Sequence, residues 1–229
     1  MSETYFTPQS FAFLGKLANN NSRDWFKAHQ DEYETQVREP ALQLIRAMAP
    51  HLAKISAHFR ADDRKVGGSL FRIQRDTRFS ADKTPYKTHI GIRFRHERAK
   101  DVHSPLFYLH LEPGNHFVGA GLWHPEPKVA RQIREFIVAN PNGWKQATQS
   151  RAFCKDFAMG GDSLVRPPRG FDPEHPLIED LKRKDFVAST TLDDAQVLDA
   201  SLPETLVAHY RRVAPLVEYL CDAVELDFS

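Results

Sequence analysis

Three features of these 229 residues predict an α+β fold, with an antiparallel or mixed sheet packed against several helices in a single domain. Apolar residues recur at helical spacing over about 8–57 and again from about 127 to the end. Between about 69 and 124 the apolar period shortens to two, the spacing of strands with one buried face. No proline-, glycine- or charge-rich linker, internal repeat or low-complexity tract divides the chain, so residues 1–229 read as one domain. Its parts are N-terminal helices, a central sheet-forming core, and a helical and loop C-terminal part.

The first helix is expected from Pro8 to Ala18, with Phe11, Leu14 and Leu17 on one face, ending at Asn19-Asn-Asn. Ser22 suits the cap of a second helix with Trp25, Phe26 and Tyr33 inside. Pro40 suits the first turn of a third, which presents Leu44, Ile45, Met48 and Leu52. After Gly67-Gly68, Leu70 to Ile73 is a short strand candidate. His89 to Arg95 places Ile90, Ile92 and Phe94 opposite His89, Arg93 and Arg95. Leu106 to Pro113 sets Phe107, Leu109 and Leu111 against Tyr108, His110 and Glu112, and Gly114-Asn115 turns the chain into a hairpin partner from His116 to Trp123. Pro127 opens a helix through Ile133 and Ile137 that Asn140-Pro-Asn-Gly ends. Ala152 to Pro176 reads as an ordered loop, Lys184 to Thr191 as a strand, and Pro203 to Val224 as a last helix bent near Pro215.

Composition narrows the function classes. At 41% hydrophobic and 11% aromatic residues the chain can bury a sizeable core. No apolar stretch approaches membrane-spanning length, and Met1-Ser-Glu-Thr-Tyr-Phe carries no secretory pattern. Cys154 and Cys221 make neither a disulfide framework nor a zinc pattern, and both read as small buried residues of a cytoplasmic protein. The net charge of +1 hides an asymmetry: residues 60–100 hold twelve Lys/Arg against five Asp/Glu, leaving 19 cations and 25 anions elsewhere. The last fifty residues, from Asp180, have five cations and ten anions. A basic centre in an otherwise acidic chain points to a localised anion site, unless the acidic tail folds back to neutralise it.

The centre of that region is the run from Arg72 to Lys87, Arg-Ile-Gln-Arg-Asp-Thr-Arg-Phe-Ser-Ala-Asp-Lys-Thr-Pro-Tyr-Lys. Thr84-Pro85 disfavours a helix and predicts a turn leading into the strand at His89. Such a turn would gather Arg72, Arg75, Arg78, Lys83 and Lys87 around a phosphate, sulfate or carboxylate, since arginine binds such groups through two parallel donors and lysine adds a point charge. Tyr86 and Tyr108 would shape the pocket, and Asp76 or His110 would serve as the acid–base group if the protein is an enzyme. His110 beside Glu112 has the spacing of a base oriented by a carboxylate. The competing structural interpretation pairs Arg75, Asp76, Asp82 and Lys83 internally to lock the loop. The anionic small molecule is the preferred partner; nucleic acid is the alternative, because Phe71, Phe79, Tyr86 and Phe94 interleave with the cations.

Other chemistries find less support. The eleven histidines are dispersed without His-x-His or His-Glu-x-x-His spacing; a hairpin would bring His110, Glu112, His116 and His124 together at best, and no residue is assigned as a metal ligand. Gly119-Ala-Gly121 permits close backbone approach but is no dinucleotide fingerprint, and there is no Walker-type loop, so no cofactor is indicated. Neither Ser80 nor Cys154 has the recognisable setting of a nucleophile. Ligand identity, reaction and oligomeric state are not encoded in any motif.

Several segments carry a resemblance. Phe13-Leu-Gly-Lys-Leu-Ala-Asn-Asn-Asn-Ser-Arg-Asp-Trp-Phe26, Phe71 to Lys87, Tyr108-Leu-His-Leu-Glu-Pro-Gly114, Gly119-Ala-Gly-Leu-Trp-His-Pro125 and Pro168-Arg-Gly-Phe171 together resemble the family of conserved bacterial and fungal proteins called domain of unknown function 2461. The likeness spans roughly residues 5 to 190. Trp123 stands where that family carries an aromatic residue, often tyrosine. The resemblance implies a single α+β domain and brings no activity, cofactor or catalytic residue.

Overall fold

The computed structural model describes residues 4–98 and 104–229. Lys100, one of the cations of the basic centre, lies outside the described residues. Helix α1 (Pro8–Asn19) starts with a proline in its first turn, where the missing N–H costs nothing. The Ser10 hydroxyl accepts the Thr7 N–H at 3.2 Å. Ser22 accepts the Trp25 N–H at 3.3 Å and starts α2 (Arg23–Ala28), as its position predicts. Helix α3 (Gln30–Tyr33) passes through a π-helical turn (Glu34–Arg38) into α4 (Glu39–Leu52), whose Leu44, Ile45, Met48 and Leu52 are buried.

The described residues form a six-stranded sheet of β1 (Phe59–Arg60), β2 (Ile90–His96), β3 (Leu106–Leu111), β4 (His116–Leu122), β5 (Ala158–Gly160) and β6 (Phe186–Leu192), in the order β1-β2-β3-β4-β6-β5. Every pairing is antiparallel. The register aligns Ile92, Leu109, Val118 and Thr190 in one row and Phe94, Phe107, Ala120 and Ala188 in the next. These residues face the helices. The remaining helices are α5 (Pro127–Ala139), α6 (Pro141–Gln149), α7 (Arg151–Asp156), α8 (Ile178–Leu181), α9 (Asp194–Val197) and α10 (Leu202–Ala223). Helix α10 packs on β3 and β4 and touches α4, α5 and α6, so one long amphipathic helix joins both helical parts over the sheet. Its Leu206, Tyr210, Val213, Val217 and Leu220 are buried, and it continues through Pro215. Among the described residues no helix is long and apolar enough to cross a membrane.

Four expectations need correction. Leu70–Ile73 forms an isolated bridge, Leu70 to Ile92, rather than a strand, because the chain turns away from β2 within a few residues. Asn140 ends α5 but also begins α6: its side chain accepts the Gly143 N–H at 3.1 Å, and Pro141 suits the first turn. The supposed loop from Ala152 contains most of α7 and the edge strand β5, each too short to show a period. Cys154 lies on the outer side of α7 and is exposed, while Cys221 is buried as expected.

Close backbone approach at the Gly119-Ala-Gly segment is confined to Gly121. Its φ is +121°, and a Cβ there would stand 2.1 Å from the Phe186 carbonyl oxygen of β6. Gly121→Ala should therefore lower the unfolding free energy by about 2 kcal/mol or more, through backbone strain and overpacking. Gly160→Ala, where nothing lies within 4 Å of the added carbon, should cost far less. Equal urea midpoints for the two variants would contradict the β4–β6 register.

Candidate functional site

The chain just before the basic run pairs along the free edge of β2, and the Phe71 ring folds over the second face of the sheet. The Phe71 N–H donates to the Gly91 carbonyl and the Arg93 N–H to the Ser69 carbonyl, both at 2.9 Å. Gly91 makes this fit: a Cβ there would lie 2.6 Å from the Phe71 ring and 2.9 Å from the Tyr108 hydroxyl. Beyond Ile73 the chain closes an irregular loop. The Lys87 N–H reaches Ile73 and the Arg75 N–H reaches Pro85, each at 2.8 Å, around a Gln74–Tyr86 bridge. Asn21 pins the base of the loop, donating to the Tyr86 carbonyl at 2.9 Å and accepting its N–H at 3.0 Å. The Tyr86 ring is buried and stacked on Phe26 at 4.2 Å, so it anchors the loop to α2 by packing.

The loop's charges divide unevenly. Arg75 bonds Asp82 and Thr84, and Arg78 grips Asp76 through two nitrogens at 3.0 and 2.7 Å. The Arg78 side chain and backbone N–H pull the Asp76 carboxyl down to about 2. The Thr84 N–H, then Arg75, then the Thr84 hydroxyl pull Asp82 down to about 2. An ionised carboxylate that weakly basic makes a poor general base near neutrality, and Asp76 is occupied as the partner of Arg78. Lys83 donates to the Thr77 carbonyl at 2.9 Å. Lys87, half-buried, donates to the carbonyls of Arg72 and Gln74 at 2.6 and 3.0 Å; burial and then the charges of Arg72 and Arg75 lower its pKa. The Arg72 side chain is exposed and, among the described residues, makes no hydrogen bond or ion pair. The acidic tail reaches the basic centre at Arg98, 4.0 Å from Asp227, while Asp180 pairs with Arg183 at 3.1 Å, Asp185 with His124 at 2.7 Å and Asp194 with His116 at 3.1 Å.

Beside the loop, β3 and the turn after it carry a closed polar ladder. Glu112 accepts from Thr88 at 3.0 Å and Asn115 at 3.2 Å, and these bonds with that of His110 outweigh burial and lower its pKa. His110 Nε2 meets Glu112 at 3.3 Å, and His110 Nδ1 meets the Tyr108 hydroxyl at 3.1 Å. Facing an ionised carboxylate, Nε2 carries the proton and Nδ1 accepts from Tyr108. Burial lowers the pKa of His110, only partly opposed by Glu112, and pushes Tyr108 up to about 12. Both nitrogens of His110 are thus engaged, one with the Tyr108 hydroxyl and the other with Glu112. Its ring stacks on Phe117 at 4.6 Å and lies 4.3 Å from that of His89.

In the sequence His89 is legible only as an outward strand position, a sign shared with Arg93 and Arg95. Its ring is half-buried and its pKa falls to about 4, first through burial and then through His110, with Lys87 and Arg75 adding to the effect. It is a neutral imidazole with no hydrogen-bond partner among the described residues, beside the least compensated cations of the loop. Arg93 stacks beneath Phe71 at 4.6 Å with its Nε buried and unpartnered, and Arg95 donates to the Gly67 carbonyl at 2.8 Å.

Two other sequence constellations come apart. His116 lies on the helix-facing side of β4 against Phe11, where its Nδ1 accepts the Glu112 backbone N–H at 3.2 Å, and His124 sits beyond the far end of that strand, so neither ring meets the His110 imidazole or the Glu112 carboxylate. Among the described residues no group of three or more His, Cys, Asp or Glu side chains stands close enough to hold a metal ion. Of the aromatics interleaved with cations, Phe94 is in the core, Tyr86 is buried and Phe71 lies on Gly91; only Phe79, 96% exposed beside Arg78, is free to stack on a base.

Residues 9–219 match the family described as conserved hypothetical protein (DUF2461), and the chain belongs to that family. No curated protein matches it.

His89 gives the site a pH signature. Its folded-state value, about 4, lies below its ordinary 6.5, so between those values the unfolded chain binds more protons. Stability should rise with pH through that window and be lost on acidification. His96, His110, His116 and His209 are shifted the same way. His89→Gln should consequently flatten, without abolishing, the pH dependence of urea unfolding from pH 4 to 6.5. An unchanged slope would mean that His89 is not held neutral.

Proposed function

We propose that this protein recognises a phosphate-bearing or other anionic small ligand where the Arg72–Lys87 turn meets the polar face of the sheet. The observation that carries the proposal is the unequal use of charge in the turn. Its two carboxylates are committed to Arg75 and Arg78, while among the described residues the Arg72 guanidinium has no hydrogen-bond or ion-pair partner and Lys87 reaches only carbonyl oxygens. A half-buried ammonium beside two guanidinium groups is an electrostatic cost in the free protein that a bound anion would relieve. In this picture Arg72 and Lys87 make the primary contacts, and Arg75 and neutral His89 add donors. Arg78 and Lys83 extend the positive field at the tip, and the packed rings of Tyr86 and Tyr108 keep the frame rigid. The exposed Cys154 thiol, with no disulfide, suits a reducing compartment such as the cytoplasm.

The Arg75–Asp82 and Arg78–Asp76 pairs favour a second interpretation, in which the loop is an internally paired structural or partner-binding device. Nucleic-acid recognition has the weaker basis, since stacking platforms work as a series and one exposed ring remains. Thermal unfolding with inorganic phosphate, sulfate and a nucleoside monophosphate separates the first two. A ligand at about 100 times its dissociation constant should stabilise the fold by about 2.7 kcal/mol. Arg72→Ala should remove that rise while leaving the unliganded melting temperature nearly unchanged. No rise with any of the three, or an equal rise in Arg72→Ala, would leave the structural interpretation standing.

A further inference from the structure

We infer that the ligand carries two closely linked anionic groups, as a diphosphate does, and that the second of them enters a cleft between the N-terminal helices and the segment leading to Arg72; the inference rests on the anion-binding proposal above. The cleft has a volume of about 190 Å³. Sites for drug-sized molecules hold roughly 300–1,000 Å³, so this one suits a single small group. The apolar residues behind it, among them Phe26, Leu42 and Ile73, are buried, and most of what the cleft opens to solvent is polar. Arg38, Arg64, Lys65 and Arg72 line it against one carboxylate, that of Glu34, among the described residues. A hollow lined mainly by one sign of charge focuses its field and draws in the opposite sign.

The cations of the cleft are not equivalent. Arg38 neutralises Glu34 at 2.9 Å, and Arg64 is held by Asp62 at 2.6 Å. The Lys65 and Arg72 side chains are exposed and, among the described residues, make no hydrogen bond or ion pair, so two uncompensated charges border one hollow. Arg72 also belongs to the turn. Its carbonyl accepts from the Lys87 ammonium at 2.6 Å, and its charge, after burial, lowers the Lys87 pKa. Arg72 thus serves the cleft and the turn at once. A single anionic group shared by Arg72 and Lys87 would leave Lys65 and the cleft without a counter-charge. A second group joined to the first would supply it, with charge-assisted hydrogen bonds that one phosphate cannot make at both places. Lys65 tells the two places apart, because it lines the cleft and lies outside the Arg72–Lys87 run.

Inorganic phosphate and pyrophosphate test the inference on the full chain, with a chelator present so that neither anion carries a metal ion, and with binding followed by thermal unfolding. Pyrophosphate should bind at least tenfold more tightly than phosphate. Lys65→Ala should remove that advantage and leave phosphate binding unchanged, whereas Arg72→Ala should weaken both anions. The Lys65 side chain is exposed and unpaired among the described residues, so the unliganded melting temperature should stay nearly where it is. Lys145→Ala on α6 removes the same charge from an exposed position outside the cleft lining and should leave the advantage in place. Pyrophosphate binding no tighter than phosphate, or weakened as much by Lys145→Ala as by Lys65→Ala, would overturn the cleft assignment and leave the anion proposal intact. Failure of both anions to bind would overturn the two together.

Discussion

The absence of a side chain at Gly91 is the constraint on which the rest of the site depends. It allows Phe71 to lie directly on β2, and the backbone bonds at Gly91 and Ser69 then hold the following segment against the sheet. That contact places Phe71 over Arg93 and beside the Tyr108 hydroxyl. It also fixes where the chain leaves the sheet, and so presents Arg72 outward and the Lys87 ammonium under the returning loop. Asn21 and the stacked Phe26–Tyr86 pair secure the other end. Two anchors from distant parts of the chain thus order a polar, irregular loop that would gain little order from its own ion pairs, since exposed pairs contribute only about 0.2–1 kcal/mol each.

Burial then sorts the candidate groups by what they can do. The Tyr108–His110–Glu112 ladder is satisfied internally and supplies a rigid polar floor. The carboxylates of the loop are satisfied by its own arginines. Positive charge is what remains: Arg72 and Lys65 at the surface, Lys87 beneath the loop, and Arg93 behind Phe71. A surface whose acceptors are used up and whose donors are in surplus is what the proposed anionic ligand would require. The neutral His89 at its border adds a hydrogen-bonding group without adding repulsion.

Regular alternation made β2, β3, β4 and β6 legible, and helical spacing with Pro8, Ser22 and Pro40 located the N-terminal helices. The short elements α7 and β5 have no period to read. The π-helical turn leaves no mark in the residue pattern either, because it is a backbone choice within an otherwise continuous helix. The site was legible in position but not in connectivity. Asp76 and Asp82 stood in the sequence beside five cations, yet which arginine each would take depends on how the loop closes. Likewise His110 and His116 read as neighbours across a hairpin, but the register sets His110 opposite Phe117 and turns His116 to the other face. His89 carries no sign of a site residue in the sequence, because its neutral state arises from burial and from charges brought in by the fold.

The most direct test of this charge partition is an NMR titration of the side-chain carboxyls of Asp76 and Asp82 in the folded protein. If the two arginines hold them as the geometry requires, both should titrate near about 2. Ordinary values near 3.9 for both would mean that Arg75 and Arg78 are unpaired in solution, and that Arg72 is not the distinctive cation of the turn.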